Sequence, residues 1–95
     1  MKIEVTARHF EAPMELKEFV EKKVRRLDRY FNGVLDCRVI LSHDTSQKVA
    51  EIIAHSKKHQ FTAAESSAKM DRAVMKAIRK MKTQLRRHKS KLRDK

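Results

Sequence analysis

The sequence predicts an α+β fold in which four strands form one mixed sheet and two helices pack on one face of it. Three observations predict this class. The length of 95 residues suits one small hydrophobic core. Four short stretches alternate apolar and polar residues, as strands do, and two longer stretches carry apolar residues every three or four positions, as amphipathic helices do. The predicted order is β-α-β-β-β-α, and we expect a single domain over residues 1–95.

The first strand and the first helix are predicted near the N-terminus. Apolar and polar residues alternate over about residues 2–8, which favours a strand. Pro13 suits a first helical turn, where its missing N–H is tolerated, and Asn32-Gly33 suits a helix end. The helix predicted between them, about residues 13–31, has one apolar stripe at 100° per residue: Leu16, Phe19, Val20, Val24, Leu27, Tyr30 and Phe31.

Three further strands follow, separated by short polar turns. Strand two ends near Ser42, and its inward phase is predicted to be Leu35, Cys37, Val39 and Leu41. Strands three and four are predicted over residues 49–55 and 59–65. Because the turns between them are short, strands two to four should form an antiparallel meander. Strand one reaches strand two through a helix, so that pair should be parallel.

The second helix is predicted over about residues 67–92. Ser66 and Ser67 offer side-chain oxygens that could cap its N-terminus. Its apolar residues fall within an arc of about 100°: Met70, Val74, Ala77, Ile78, Met81, Leu85, His88 and Leu92.

Charge is concentrated on this second helix. The chain carries 24 Lys and Arg against 12 Asp and Glu, a net charge of +12. Residues 69–95 hold 12 of those basic residues and 2 of the acidic ones, which is +10 of the total. Solubility alone does not require one sign on one element. We therefore predict a polyanionic partner, since neutralising phosphates releases condensed counterions.

The predicted RNA-binding residues lie on the outer arcs of both helices, which would form one continuous basic surface if the helices pack side by side. On helix one, ordinary intrahelical ion pairing is an equal alternative, because acids share that surface. The candidates are Lys22, Lys23, Arg26, Arg29, Lys76, Arg79, Lys80, Lys82, Arg86, Arg87, Lys89 and Lys91. With few aromatic residues, recognition should depend on phosphate, sugar and shape.

No catalytic, metal or cofactor site is predicted. The histidines His9, His43, His55, His59 and His88 lack metal-ligand spacing, although His43 and His55 could meet across strands two and three. Cys37 is expected in the core. One cysteine, no N-terminal signal sequence and no long apolar run indicate a cytoplasmic protein with an intact N-terminus and no membrane association.

Several segments resemble one known family. They are residues 3–9 (IEVTARH), 16–23 (LKEFVEKK), 27–31 (LDRYF) and 84–92 (QLRRHKSKL). With the element order and the basic second helix, they resemble the short-type ribosome hibernation promoting factors, also called ribosome-associated inhibitors. The resemblance covers essentially the whole chain.

The resemblance implies a function and a set of contacts. Family members bind the small ribosomal subunit in the channel used by messenger and transfer RNA, and silence translation in stationary phase or starvation. The residues at basic positions of the family pattern are Lys23, Arg26, Lys80, Arg87, Lys89 and Lys91. The short type lacks the dimerisation domain of the long type, so pairing of ribosomes would need a separate ribosome-dimerising factor. The protein itself is expected to be a monomer off the ribosome.

One segment departs from the family pattern. Helix two often opens there with acid-Met-Tyr-Ala-Ala-Ile-Asp, whereas this chain reads KMDRAVM over residues 69–75. The apolar phase is kept, but the Tyr is lost and Lys69 and Arg72 add positive charge. Any contact made by that Tyr is in doubt, while the fold argument is unaffected.

Two other functions remain open from sequence. The protein could be a general binder of double-stranded RNA or DNA, since an α-β-β-β-α core also occurs in double-stranded-RNA-binding domains. It could also dock its basic helix on an acidic protein surface. Competition by messenger or transfer RNA would separate a ribosome silencer from both.

Overall fold

The computed structural model describes residues 1–30 and 33–93, with side chains up to residue 90. Its elements follow the predicted order: β1 (Lys2–Arg8), α1 (Met14–Arg25), a 3-10 helix (Arg26–Arg29), β2 (Val34–His43), β3 (Lys48–Ser56), β4 (Gln60–Ser67) and α2 (Met70–Arg93). Phe31, Asn32 and the side chain of Leu92, which the sequence placed on helix one, its end and helix two, lie outside the described residues.

The four strands form one mixed sheet in the order β1-β2-β3-β4. β1 runs parallel to β2, with Val5 opposite Val39, and the other two pairs are antiparallel. The parallel pair is the one joined through α1, as expected for a β-α-β crossover. The predicted α+β class and strand arrangement are therefore confirmed.

The core lies between one sheet face and the two helices. Val39, Leu41 and Ile52 from the sheet are fully buried against Val24 of α1 and Met81 of α2. The hydrophobic effect of removing this apolar surface from water is the main contribution that holds the helices on the sheet. No helix within residues 1–30 and 33–93 combines the length and the apolar character needed to cross a bilayer.

Helix one is shorter than the predicted 13–31. The α-helix ends at Arg25, and Arg26–Arg29 continue as a 3-10 helix. The N–H of Tyr30 then donates to the carbonyl of Leu27 at 3.0 Å. A tighter last turn is a common way to satisfy terminal carbonyls. Here it leaves Leu27 buried in the core and Tyr30 partly buried against it.

The predicted N-cap of helix two was wrong. Ser66 and Ser67 belong to β4, where they pair with Val49 and Lys48 of β3, and α2 begins at Met70. Hydrogen bonds of the β3–β4 ladder hold these serines in the strand. They precede the first helical residue by four and three positions, which is too far for their side chains to cap the helix.

The predicted inward phase of strand two was wrong at its first position. The β2–β3 register shifts between Val34 and Asp36. This irregularity moves Val34 into the core at 4% exposure and leaves Leu35 at 60% exposure. One unpaired residue reverses the facing of the residues before it, which a simple alternation pattern does not show.

The single cysteine is confirmed as a core residue. Cys37 is buried, and its Sγ lies 3.5 Å from the Sδ of Met1. Burial, reinforced by the negative charges of Asp36 and Asp28, raises the pKa of the thiol from 9.0 to about 12. The reactive thiolate is therefore scarce in the folded protein at neutral pH.

We predict that folding protects this thiol strongly. At pH 8 the thiolate fraction of the folded protein should be lower than that of the unfolded chain by about a thousandfold, from a pKa difference of about three. Rates of reaction with an aromatic disulfide, measured with and without guanidinium chloride, should show this gap. Because the folded pKa exceeds the unfolded one, this contribution to stability is intact below about pH 9 and declines as the pH rises towards 12. Equal rates in the two states would contradict the burial.

Candidate nucleic-acid interface

The basic side chains of α2 divide between two flanks of the helix. One flank faces α1 and the 3-10 helix and carries Arg79, Lys82, Arg86 and Lys89, which line the clefts between the helices. The other flank faces the edge strand β4, and helical spacing of three and four residues places Lys76, Lys80 and Arg87 there. The apolar stripe lies between the two flanks and is buried on the sheet.

A groove of about 230 Å³ runs between the two helical elements. Its cations come from both sides, with Lys23 and Arg26 facing Arg79 and Lys82. Its apolar lining is Leu27, Tyr30, Met75 and Ile78. The Nζ of Lys82 lies 5.1 Å from the centre of the Tyr30 ring, a cation–π distance. The two helices thus contribute to one basic groove.

The groove continues towards the C-terminal end of α2 as a second cleft. This cleft has a volume of about 250 Å³ and is lined by Arg29, Tyr30, Arg86, Lys89 and Ser90. Tyr30 lines both clefts, so the cations of the two form one track along the helix pair.

The flank that faces β4 is tied to the edge strand. The Nζ of Lys76 donates to the carbonyl of Ser66 at 2.8 Å, and the Nε2 of Gln84 donates to the carbonyl of Thr62 at 2.8 Å. These bonds occupy carbonyls of an edge strand that would otherwise be open to another chain. Lys76 is thus partly engaged in holding α2 on the sheet, whereas Lys80 and Arg87 are exposed. The side chain of Lys91 lies outside the described residues.

The outer surface of α1 carries cations and acids together. Lys22, Arg26 and Arg29 line a shallow cleft of about 480 Å³ that also includes Glu18 and Glu21. The one ion pair found there joins Arg25 and Glu21 at 3.0 Å, and Arg25 also donates to the carbonyl of Met1 at 3.3 Å. Intrahelical pairing therefore involves Arg25 and not the four residues predicted on this helix.

The predicted cations have no carboxylate partners in the part of the chain with described side chains. Eleven of the twelve predicted cations have described side chains, and no described carboxylate lies within 4 Å of any of them. The ion pairs in this part of the chain involve Arg25, Arg38 and His55. Like charges three and four residues apart repel one another along α2. A polyanion lying along the groove would relieve that repulsion and release its own counterions.

Sequence reasoning missed the apolar part of the groove. Met75 is 36% exposed and lies outside the apolar stripe, among the cations of α2. An apolar residue in that position was a usable signal. Tyr30 was assigned to the core alone, yet it lines both clefts.

The histidines do not converge on one site. His43 and His55, which the sequence allowed to meet across strands two and three, do not pair, because His43 lies opposite Lys48 and His55 lies opposite Asp36. His43 stacks on Phe10 at 4.3 Å, and the Nδ1 of His55 lies 2.8 Å from Asp36 Oδ1. His88 is partly buried against the rings of His59 and Phe61. Among the described residues, no group of three or more His, Cys, Asp or Glu is arranged to hold a metal ion.

Comparison with known proteins identifies the family. Residues 3–93 match the family described as sigma 54 modulation protein / S30EA ribosomal protein. The chain belongs to this family. A relative from Acidithiobacillus ferridurans, named ribosome hibernation promoting factor, is 32% identical over 73 residues, which span 74% of this chain and 94% of that one. A Salmonella typhimurium protein of the same name is 28% identical over 94 residues, covering 99% of both chains. The resemblance seen in the sequence is confirmed.

Two solved structures share the architecture. The N-terminal domain of Protein Y from Thermus thermophilus matches with a TM-score of 0.84 and 31% identity, over 93% of this chain and 99% of that chain. A ribosomal subunit interface protein from Coxiella burnetii matches with a TM-score of 0.89 over 95% of this chain and 99% of that chain. Its identity of 22% limits that likeness to the fold.

Proposed function

We propose that this protein is a ribosome hibernation factor that binds the small ribosomal subunit and silences translation. The observation that carries the proposal is the basic groove between α1 and α2, where cations from both helices face one another without a carboxylate partner among the described residues. A family member with such a surface is suited to ribosomal RNA.

The mechanism is steric occlusion of the channel that messenger and transfer RNA use. The protein occupies that channel during stationary phase or starvation, when translation is low. The twelve predicted basic residues hold the ribosomal RNA, and the groove residues Arg26 and Arg79 give bidentate phosphate contacts that Lys does not. No chemical step is required, so the protein is not an enzyme.

The proposed setting is the cytoplasm. Residues 1–95 act as one ribosome-binding domain that is a monomer off the ribosome. It needs no cofactor or metal. If ribosomes are paired in the resting cell, a separate dimerising factor brings them together.

Co-sedimentation with ribosomes and separated subunits tests the proposal. We expect stoichiometric pelleting with the small subunit at near-physiological salt. Excess free duplex RNA should not remove the protein, whereas transfer RNA should displace it because both occupy the same channel. Binding should weaken steeply with added salt, as for any interaction that releases counterions.

Loss of the protein to the duplex competitor would favour a different function for the same surface. The protein would then be a general binder of double-stranded RNA or DNA. Pelleting that resists both competitors would contradict occupancy of the channel.

A further inference from the structure

The groove between the helices has a composition that phosphate binding alone does not require. Its rim is cationic, but Met75 lies between those cations at 36% exposure. Tyr30 and Ile78 extend the apolar surface beside it. Met75 is one of only three large apolar residues exposed to this degree in the described part of the chain, the others being Met14 and Leu35.

The dimensions of the groove restrict its occupant. Its volume of about 230 Å³ is below the ~300–1,000 Å³ typical of sites for drug-sized ligands. An amphipathic helix docks through a long apolar face, whereas this groove offers apolar surface from only a few side chains. A single planar ring system is the size of group that fits.

The charge of the rim restricts it further. Four cations at the rim favour an anionic ligand, and an apolar floor favours a flat, weakly hydrated face. An unpaired nucleotide combines both, because its base has a flat face and its phosphates lie on either side of it. Proteins that bind single-stranded RNA commonly pair a basic groove with side chains on which bases stack. A fully paired duplex offers phosphates but keeps its base faces stacked inside.

We propose that this groove receives one unpaired nucleotide of the bound RNA. The base lies against Met75 and Tyr30, and the flanking phosphates lie between Arg26 and Arg79. This inference rests on the proposed RNA-binding function and adds to it the class of RNA that the groove selects. Unpaired segments, rather than continuous duplex, are the preferred ligand.

The test compares two RNAs of equal length and charge with several forms of the full chain. One RNA is a fully paired, blunt-ended duplex, and the other is a duplex that carries unpaired nucleotides in its interior. The variant Met75→Gln removes the apolar surface without changing charge, and Gln has a helix propensity similar to that of Met. Met14→Gln is the matched control, because Met14 is 67% exposed and does not line the groove. Met75→Leu keeps an apolar side chain there.

We expect Met75→Gln to lower affinity for the RNA with unpaired nucleotides by roughly tenfold, the loss expected when the base no longer covers one exposed apolar side chain. Affinity for the fully paired duplex and the salt dependence of binding should not change, since no charge is altered. Met14→Gln and Met75→Leu should bind both RNAs as the unsubstituted protein does. Thermal melts of each variant confirm that folding is retained.

Two results would overturn the inference while leaving the proposed function in place. One is small-subunit binding together with equal RNA affinities for Met75→Gln and the unsubstituted protein. The other is an affinity for polyglutamate that depends on Met75 while the affinity for RNA does not, which would make the groove a site for acidic peptide. If the unsubstituted protein binds neither of the two RNAs and does not bind the small subunit, both proposals are overturned.

Discussion

Charge reversal of Lys80, Arg87 and Lys89 to Glu is expected to abolish binding to the small ribosomal subunit while leaving the fold intact. Lys80 and Arg87 lie on the flank of α2 beside β4, and Lys89 lines the cleft beside Arg29, so the variant changes both flanks. Like charges placed against phosphates cost several kcal/mol, so the loss of affinity should be on the order of a thousandfold. The salt dependence should also become shallower, by about one unit of slope for each phosphate that is no longer neutralised.

A matched control separates the position of the charge from its amount. Reversal of Lys2, Arg8 and Lys17 changes the net charge by the same amount, from +12 to +6, at exposed positions away from α2. Its effect on binding should be small, since long-range attraction is largely screened at physiological salt. Co-sedimentation and thermal melts of both variants measure binding and folding. Unchanged binding in the α2 variant, or equal losses in both variants, would disprove the assignment of the site to α2.

Truncation of Leu41 to Ala is expected to destabilise the protein strongly, whereas the same truncation of Leu35 is expected to have little effect. Both leucines lie in β2, but Leu41 is fully buried and Leu35 is 60% exposed because of the register shift before Asp36. Loss of a buried Leu side chain costs about 2–5 kcal/mol through lost burial and the cavity that remains. An exposed position away from such features usually changes stability by no more than about 0.5 kcal/mol.

Thermal or urea unfolding of the two variants measures this difference. For a domain of this size each kcal/mol shifts Tm by about 4–8 °C, so Leu41→Ala should melt at least about 8 °C lower. Leu35→Ala should melt within a few degrees of the unsubstituted protein and serves as the control for the change in side chain. Equal destabilisation by both variants would show that the strand keeps a simple alternation and that the register shift is absent in solution.

Much of the architecture was predictable because it depends on local periodicity. Several residues of β1 follow the alternation and several residues of α2 follow the helical stripe. One residue that departs from such a pattern therefore does not change the predicted element. The same holds for the basic character of α2, which is a property of composition. The element order then left few ways to pair the strands, since a β-α-β crossover must be parallel and right-handed.

The errors fall where one interaction outside the element decided the outcome. Ser66 and Ser67 have good capping chemistry, yet pairing with β3 held them in the strand. Leu35 fits the alternation, yet one irregular pair moved Val34 inwards in its place. The apolar stripe of helix one continues past Arg25, yet the chain there tightens into a 3-10 helix with Leu27 buried in the core. None of these is visible in the residues of the element itself.

The sequence by itself determined the fold class, the position of the core stripes, the family and the presence of a dense cationic helix, because each of these arises from repeated residue types at fixed spacing. Only the tertiary structure decided which cations face one another. Packing of α1 and α2 on the same sheet face brought Lys23 and Arg26 opposite Arg79 and Lys82, and it placed Met75, still 36% exposed, between them. Residues more than forty positions apart meet there, and the distance between them depends on how two helices pack, which no local pattern in the sequence specifies.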